Sequence, residues 1–402
     1  MHVLVITDPF YKPLYVPRVR YLCDFLVRQG HQVELYSEET DKTDFQHSYP
    51  LTVWRFINSK TDWIVKTFWT LLTDYKDRWF ANKVIRHTKS IPDVIIASTS
   101  YTFPLPAAHI IARHFNCPLI ADLRDIAEQA PNLLINRYNL LTKPFVGIYN
   151  RLNVKRRNKV LRKAYAITTV SPWHQKFLKQ FNPNTHLVYN GYDRNDFFPK
   201  PQPTNKFRIT YAGRIYNDTV RNPKLLFEAL RIIKQNNQMP ELIVDWFIDD
   251  KGMAIISKYA ECYDVEHLML YHDYIPQKEM NDVYNASSVV VVLSNKTGEK
   301  GPFGIMTSKF FEALGAHRPI LVVQSDEAEL EHVVKETKAG CAAKNQDDIL
   351  QFLHLNYDVW KHNGYTLQKS KSDDYDRETQ SRIFLRIIGQ LDKSSLSTSY
   401  QK

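Results

Sequence analysis

The residues best suited to chemistry lie in one run, Gly298-Glu299-Lys300-Gly301-Pro302-Phe303-Gly304-Ile305-Met306-Thr307-Ser308-Lys309-Phe310-Phe311-Glu312-Ala313-Leu314. Spaced glycines, then two hydroxyl residues, then apolar residues at helical period predict a loop that feeds a helix over Thr307–Ala316. The first turn of such a helix has free N–H groups and the positive dipole end, and glycines let backbone approach an anion closely. Lys309 falls in that first turn, where a cation opposes the dipole unless an anion is bound. Glu312 stands one turn further on the same face, and its carboxylate can accept two hydrogen bonds from a ribose diol. The competing reading is a capped core helix with a solvated Lys–Glu pair. A second segment, Tyr211-Ala212-Gly213-Arg214-Ile215-Tyr216 continuing to Arg221-Asn222-Pro223, predicts a strand, a glycine turn and a new helix. Arg214 and Arg221 carry the planar fork that binds phosphate bidentately, with ordinary surface cations as the alternative. No Gly-x-Gly-x-x-Gly dinucleotide fingerprint occurs. The one Asp-x-Asp, Asp374-Tyr375-Asp376, falls in a predicted C-terminal helix and reads as a solvated face rather than a metal site.

Charge adds a second feature. The net charge is +10, yet no acidic residue lies between Glu128 and Asp193. That stretch holds eleven cations: Arg137, Lys143, Arg151, Lys155, Arg156, Arg157, Lys159, Arg162, Lys163, Lys176 and Lys179. The basicity is therefore local. Phe145, Ile148, Tyr149 and Leu152 follow helical spacing beside it, and Trp63-Ile64-Val65-Lys66-Thr67-Phe68-Trp69 forms a separate aromatic run. Basic amphipathic helices with aromatic residues lie on anionic bilayers. This assigns Lys155, Arg156, Arg157 and Lys159, with Trp63 and Trp69, to a membrane or acceptor surface. Nucleic acid is the rival partner for such charge, but no recognised nucleic-acid motif accompanies it. Core aromatics beside a solvated helix face are the bland alternative.

These segments need a scaffold of two domains, because 402 residues exceed one ordinary core. Short β-branched runs alternate with helical segments, the pattern of βαβ units and parallel sheets. Strands are predicted at Val3–Thr7, Val33–Tyr36, Val53–Ile57, Val94–Ala97, Leu119–Asp122, Ile167–Val170 and Leu187–Tyr189, with helices including Val19–Arg28, Ile64–His87, Leu105–Phe115 and Phe145–Tyr165. A second set runs through Arg208–Tyr211, Ile243–Phe247, Leu268–Tyr271, Val289–Leu293 and Ile320–Val323, with helices including Pro223–Lys234, Gln277–Asn285, Thr307–Ala316 and Ala328–Lys335. Between the sets, Phe198-Pro199-Lys200-Pro201-Gln202-Pro203-Thr204 reads as a linker. The expected fold is α/β: two Rossmann-like parallel-sheet domains, 1–197 and 198–373, facing across a cleft. A final helix at about 374–391 packs back on the first. No apolar run has the ~20 residues of a membrane helix, nor is there a signal-peptide pattern, so a cytoplasmic protein is expected. Cys23, Cys117, Cys262 and Cys341 lie far apart among apolar neighbours and read as buried thiols.

Five motifs, taken together, resemble the retaining glycosyltransferases of family four, which have the GT-B fold. They are Gly30-His31-Gln32-Val33, Asp122-Leu123-Arg124-Asp125, Asn190-Gly191-Tyr192-Asp193, the run from Tyr211 to Leu230, and Lys309-x-x-Glu312. The likeness extends over nearly the whole chain. It implies that Glu312 holds the donor ribose, and that the amides around Thr307 and Ser308 hold the pyrophosphate. Gly213, Arg214 and Arg221 would stand with Lys309 at the donor phosphates, and Ile275, in Tyr274-Ile275-Pro276, by the nucleotide base. Arg124 and Asp125 would be the catalytic residues at the acceptor side. The family needs neither metal nor cofactor. Two departures stand out. Gly304 occupies the position, eight before Glu312, where many members carry a second glutamate, which matches the Ser-Lys-x-x-Glu branch. The first-domain loop Tyr11-Lys12-Pro13-Leu14-Tyr15-Val16-Pro17-Arg18 has no glycine where the family is usually glycine-rich.

The expected function is metal-independent transfer of a hexosyl group, with retention, from a nucleotide-diphosphate sugar (UDP ahead of GDP) to a lipid-linked saccharide or lipid in surface glycan synthesis. The protein would sit peripherally on the inner face of the cytoplasmic membrane. The rivals are a sugar-nucleotide epimerase of the same fold, which needs no acceptor, and a non-catalytic glycan- or membrane-binding protein. Screening nucleotides and their sugars separates them.

Overall fold

The computed structural model describes residues 1–8, 17–38, 48–51, 73–129, 143–215, 217–218, 221–295 and 303–398. The chain divides into two compact units, Met1–Tyr189 with Ser381–Lys402, and Asn190–Gln380.

Among the described residues, the first unit is built on seven parallel strands: β1 (His2–Thr7), β2 (Gln32–Ser37), β3 (Ser48–Pro50), β4 (Val94–Thr99), β5 (Leu119–Leu123), β6 (Ala166–Thr169) and β7 (Thr185–Leu187). Their order is β3-β2-β1-β4-β5-β6-β7, with Val5 opposite both Leu35 and Ile96. All six residues of β1 are buried, as a parallel strand covered on both faces requires. Helix α1 (Pro17–Arg28) turns Val19, Leu22 and Leu26 inward and ends at Gly30, whose φ of +83° suits glycine. Helices α2 (Tyr75–His87), α3 (Leu105–Phe115), α4 (Lys143–Leu161) and α5 (Pro172–Leu178) complete the crossovers. The expected strand Val53–Ile57 and the first part of the helix expected at Ile64–His87 lie outside the described residues.

The second unit carries β8 (Phe207–Ala212), β9 (Leu242–Phe247), β10 (Met269–His272), β11 (Val289–Leu293), β12 (Ile320–Val323) and β13 (Gly340–Ala343), all parallel, in the order β10-β9-β8-β11-β12-β13. Its helices are α6 (Lys224–Gln235), α7 (Asp250–Tyr263), α8 (Met280–Ala286), α9 (Ser308–Gly315), α10 (Glu329–Thr337) and α11 (Gln346–Asn363). Leu226, Phe227, Leu230 and Ile233 of α6 pack with Trp246, Val291 and Leu293 in one core. Each such side chain contributes about 1.5–3 kcal/mol by leaving water. The order reverses between β1 and β4 in one sheet and between β8 and β11 in the other. In open parallel sheets the ligand crevice opens at that point, beyond the strands' carboxyl ends.

Three expectations need correction. The proline-rich segment 198–204 is no free linker: Phe198 N donates to Asn281 Oδ1 (3.1 Å), Lys200 N to Asn285 Oδ1 (2.8 Å) and Thr204 N to Gly364 O (2.8 Å). Proline removes donors but leaves carbonyls, and buried Arg318 bonds Lys200 O at 2.7 Å. Asp376 is not on a solvated face. It is 1% exposed, pairs with Arg194 and accepts Thr379 N at 2.9 Å, satisfying a free amide at the start of α12 (Arg377–Thr398). That helix then buries Phe384, Ile387 and Ile388 in the first unit's core beside Val3, Val5 and Leu26. Cys262 is exposed, near the end of α7; Cys23 is buried, Cys117 and Cys341 are half-buried, and all four are free.

Candidate functional site

The β8/β11 crossing gathers most of the chemistry predicted for the second unit. Beyond β8 the chain turns at Gly213, whose N–H donates to Phe247 O at 3.1 Å. The loop returns at Arg221, whose guanidinium Nη1 donates to Leu293 O at 3.1 Å and so bridges the switch point. Its Nε is buried with no hydrogen-bond partner, a cost unless an acceptor arrives. A cavity of about 150 Å³ opens here, lined by Gly213, Arg214, Arg221, Leu293, Thr307 and Lys309 among others. Arg214 is 57% exposed, with Nε 3.9 Å from Asp249 Oδ2.

Helix α9 meets the same cavity with its first turn. Thr307 caps it by accepting Lys309 N at 3.4 Å, and Ser308 is exposed beside it. Phe310, Phe311, Ala313 and Leu314 bury the opposite face, fixing the helix in the core. Lys309 Nζ donates to Glu312 Oε2 at 2.9 Å, and Tyr284 Oη donates to the same oxygen at 3.3 Å. The Lys–Glu pair of the competing reading is present, but its carboxylate is buried, 3% exposed, while Lys309 keeps a third of its side chain exposed. Burial first, and then the Glu312 charge, push the Tyr284 phenol well above its usual range, keeping it a proton donor. Gly304 has φ +67°, a left-handed conformation that favours glycine at the position where a glutamate was the family alternative. Ile275 is half-buried beyond β10 and is not among the residues lining the cavity. Gly298 and Gly301 lie outside the described residues. Tyr284 is the residue that sequence reasoning missed here. A tyrosine in a short polar helix carries no pattern that distinguishes it from core.

In the first unit, Asp122 is a satisfied core carboxylate, accepting Arg18 Nη2, Ser98 Oγ and Thr168 Oγ1, each at 2.7 Å. Arg124 is half-buried and pairs with Asp8, just past β1, while Asp125 is exposed. Asp8 also accepts Ser100 N at 3.2 Å, so one carboxylate ties together the ends of β1, β4 and β5 at that sheet's switch point. Sequence reasoning passed over Asp8; its only signal was an acid directly after the first strand.

The cationic stretch separates into two kinds of residue. Arg151, Lys155 and Lys159 are exposed along α4 and Arg162 and Lys163 just past its end, with Ile148 53% and Leu152 37% exposed among them. Arg157 is not on this surface, contrary to expectation: it is fully buried and forks onto Glu128 at 2.8 and 2.5 Å. The 3.6-residue period places it on the inward face, near Val160 and Leu161. Arg156 is half-buried, 3.6 Å from Asp74. Trp63 and Trp69 lie outside the described residues, as do the side chains of Phe145 and Tyr149. Among the described residues no group of three or more His, Cys, Asp or Glu is arranged to hold a metal, and no helix is long and apolar enough to cross a membrane.

Solved structures share this architecture. Anabaena Alr3699/HepE, determined in complex with UDP and glucose, matches with TM-score 0.63 at 13% identity, covering 96% of this chain and 99% of that one. Sucrose-phosphate synthase from Thermosynechococcus elongatus matches with TM-score 0.59 at 13% identity over 100% of both chains. WaaG, a glycosyltransferase involved in lipopolysaccharide biosynthesis, matches with TM-score 0.61 at 10% identity over 96% of this chain and 99% of that one. No curated protein matches the sequence. Two parallel-sheet α/β units with these likenesses define the GT-B fold. Residues 17–196 match the model for Glycosyltransferase Family 4, and residues 193–355 the model for Glycosyl transferases group 1. The chain is therefore a glycosyltransferase of the family 4 and group 1 type.

Proposed function

We propose that the protein transfers a hexosyl group, with retention and without metal, from a UDP-sugar to a lipid-linked saccharide or lipid acceptor in surface glycan synthesis. The observation that carries the donor half is the convergence of Arg221, Lys309 and the Thr307 cap on one cavity, with buried Glu312 bonded to the Lys309 that lines it. In this reading Glu312 accepts the ribose hydroxyls, and the amides at Thr307 and Ser308 take the diphosphate. Arg221, Lys309 and Arg214 neutralise the charge that grows on the leaving diphosphate as its bond to the sugar breaks, electrostatic stabilisation that asks nothing of a metal ion. Arg124, held by Asp8, and the exposed Asp125 are assigned to the acceptor. UDP is favoured because structures related in fold were solved with UDP or UDP-glucose.

The acceptor half rests on the exposed cations of α4, interspersed with Ile148 and Leu152, a surface suited to anionic lipid at the inner face of the cytoplasmic membrane. Titration calorimetry against UDP, GDP, ADP and their sugars tests the reading. UDP and one UDP-sugar are expected to bind, with turnover of that sugar only when a glycolipid acceptor is present. Failure of every nucleotide to bind would overturn it, and acceptor-independent conversion of the sugar would put an epimerase in its place.

A further inference from the structure

We infer that Tyr284 is the residue that positions Glu312 for the donor ribose, and so sets how strongly the protein prefers ribonucleotides to their deoxy analogues. The inference rests on the donor reading above. The Tyr284 side chain is fully buried in α8, and its hydroxyl donates to Glu312 Oε2 at 3.3 Å. Lys309 donates to that same oxygen at 2.9 Å. Among the described residues no hydrogen bond reaches Oε1. Oε2 is thus fixed by the protein, and in the donor reading Oε1 is the oxygen that accepts from the ribose.

The two donors differ in what a ligand does to them. Lys309 has a third of its side chain exposed and lines the cavity, so an arriving diphosphate competes with Glu312 for its ammonium. Tyr284 is neutral and buried, and no phosphate draws it away. Once the donor is bound, the phenol is the partner that continues to hold Oε2. The helix that carries Tyr284 is itself anchored. Asn281 accepts Phe198 N at 3.1 Å, and Asn285 accepts Lys200 N at 2.8 Å and Arg318 Nη2 at 2.7 Å. Phe197 packs on the Tyr284 ring with centroids 6.1 Å apart.

Tyr284→Phe removes the hydroxyl and keeps the ring. Calorimetry on the full chain would compare UDP, 2′-deoxy-UDP and 3′-deoxy-UDP for wild type, Tyr284→Phe, Glu312→Gln and the double variant. Wild type is expected to prefer UDP by about tenfold or more, since a site that hydrogen-bonds a hydroxyl rejects the analogue lacking it. Tyr284→Phe is expected to weaken UDP by roughly 3- to 10-fold, the effect of one hydrogen bond to a group that binds the ligand. Deoxy-UDP binding would barely move, so the preference narrows. In the double variant the Tyr284 change would add nothing to Glu312→Gln.

A tyrosine with a merely structural role would weaken all three nucleotides equally and leave the preference intact, and that result overturns the inference. Loss of preference in Glu312→Gln, with full preference in Tyr284→Phe, overturns it while sparing the donor reading. Preference that survives Glu312→Gln, or no binding of UDP to wild type, overturns both. Should Tyr284→Phe fail to melt cooperatively, 3-fluorotyrosine at position 284 keeps the ring and strengthens the donor. A wider preference for UDP would then support the inference, and an unchanged one would overturn it.

Discussion

The division of the cationic helix into exposed and buried members gives a test with opposite expected outcomes for residues only two apart. Lys155 and Lys159 are exposed one turn apart on α4, whereas Arg157 between them is fully buried on Glu128. Reversing both lysines to glutamate removes two cations and adds two anions. At about 1 kcal/mol per charge near an anionic surface, this amounts to ~2–4 kcal/mol, or about 30- to 1000-fold in vesicle partitioning. Folding should be untouched, because neither side chain has a buried partner to lose. Arg157→Glu acts the other way. It sets a carboxylate against Glu128 in a site that leaves the arginine no exposure, and breaking a buried pair costs about 3–5 kcal/mol. The partial exposure of Glu128, 32%, pulls the expected cost toward the lower end.

The assay is sedimentation with neutral and anionic vesicles at 0.1 M and 1 M salt, beside thermal melts of each variant. Screening shortens the Debye length from ~10 Å to ~3 Å over that range, so wild-type binding to anionic vesicles should fall steeply. The lysine pair should lose vesicle binding and keep its melting temperature, and Arg157→Glu should lose stability. Vesicle binding that ignores lipid charge, or survives the lysine reversals, would refute the membrane reading. The stretch would then be an ordinary solvated face.

Burial raises the Asp77 carboxyl to about 6, against the pull of Arg156 and Lys76. A carboxyl raised on folding favours the folded state below its unfolded pKa and loses that contribution as pH rises through about 6. Asp77→Asn should therefore gain stability over wild type above that pH and not below pH 4, by up to ~3 kcal/mol at 1.4 kcal/mol per unit; pH-resolved melts that show a constant difference would contradict this. A Cβ at Gly315 would lie 2.3 Å from Tyr192 Cδ2, an overpacked contact with a ring rather than a flexible chain end. Gly315→Ala should cost about 1–3 kcal/mol in denaturant unfolding, and an unchanged midpoint would show that Tyr192 yields freely. Sugar transfer should persist in excess EDTA; loss of transfer, restored by Mg²⁺ or Mn²⁺, would count against charge neutralisation by Arg221 and Lys309.

What could be read in the sequence followed from how strongly each element declares its period. Val289–Leu293 is four valines and a leucine and is a strand over those same residues, and Leu105–Phe115 is a helix within its expected bounds. The strand Gly340-Cys341-Ala342-Ala343 carries no such signal and went unread. It opens on glycine because the neighbouring strand runs close: a Cβ at Gly340 would fall 1.8 Å from Ile320 O. Ser48–Pro50, three residues ending in proline, is silent in the same way. Propensity registers what a residue prefers, whereas these positions are set by what their neighbours leave room for.

The same distinction governs the site. Helix α9 was legible because a glycine loop, a cap and a Lys-x-x-Glu pair are local features within a few residues of one another. The partners that complete it are not local. Tyr284 precedes Glu312 by 28 positions, Asp8 precedes Arg124 by 116, and Glu128 precedes Arg157 by 29. Charge counting treats eleven cations as equivalent, but a helix turned by 100° per residue sends Arg157 into the core while Arg151, Lys155 and Lys159 face solvent. A buried arginine needs a carboxylate, and that carboxylate sits where the acid-free stretch begins. Glu128 is therefore the acid that balances the buried member, Asp74 stands 3.6 Å from half-buried Arg156, and Arg151, Lys155 and Lys159 remain along α4 as exposed cations.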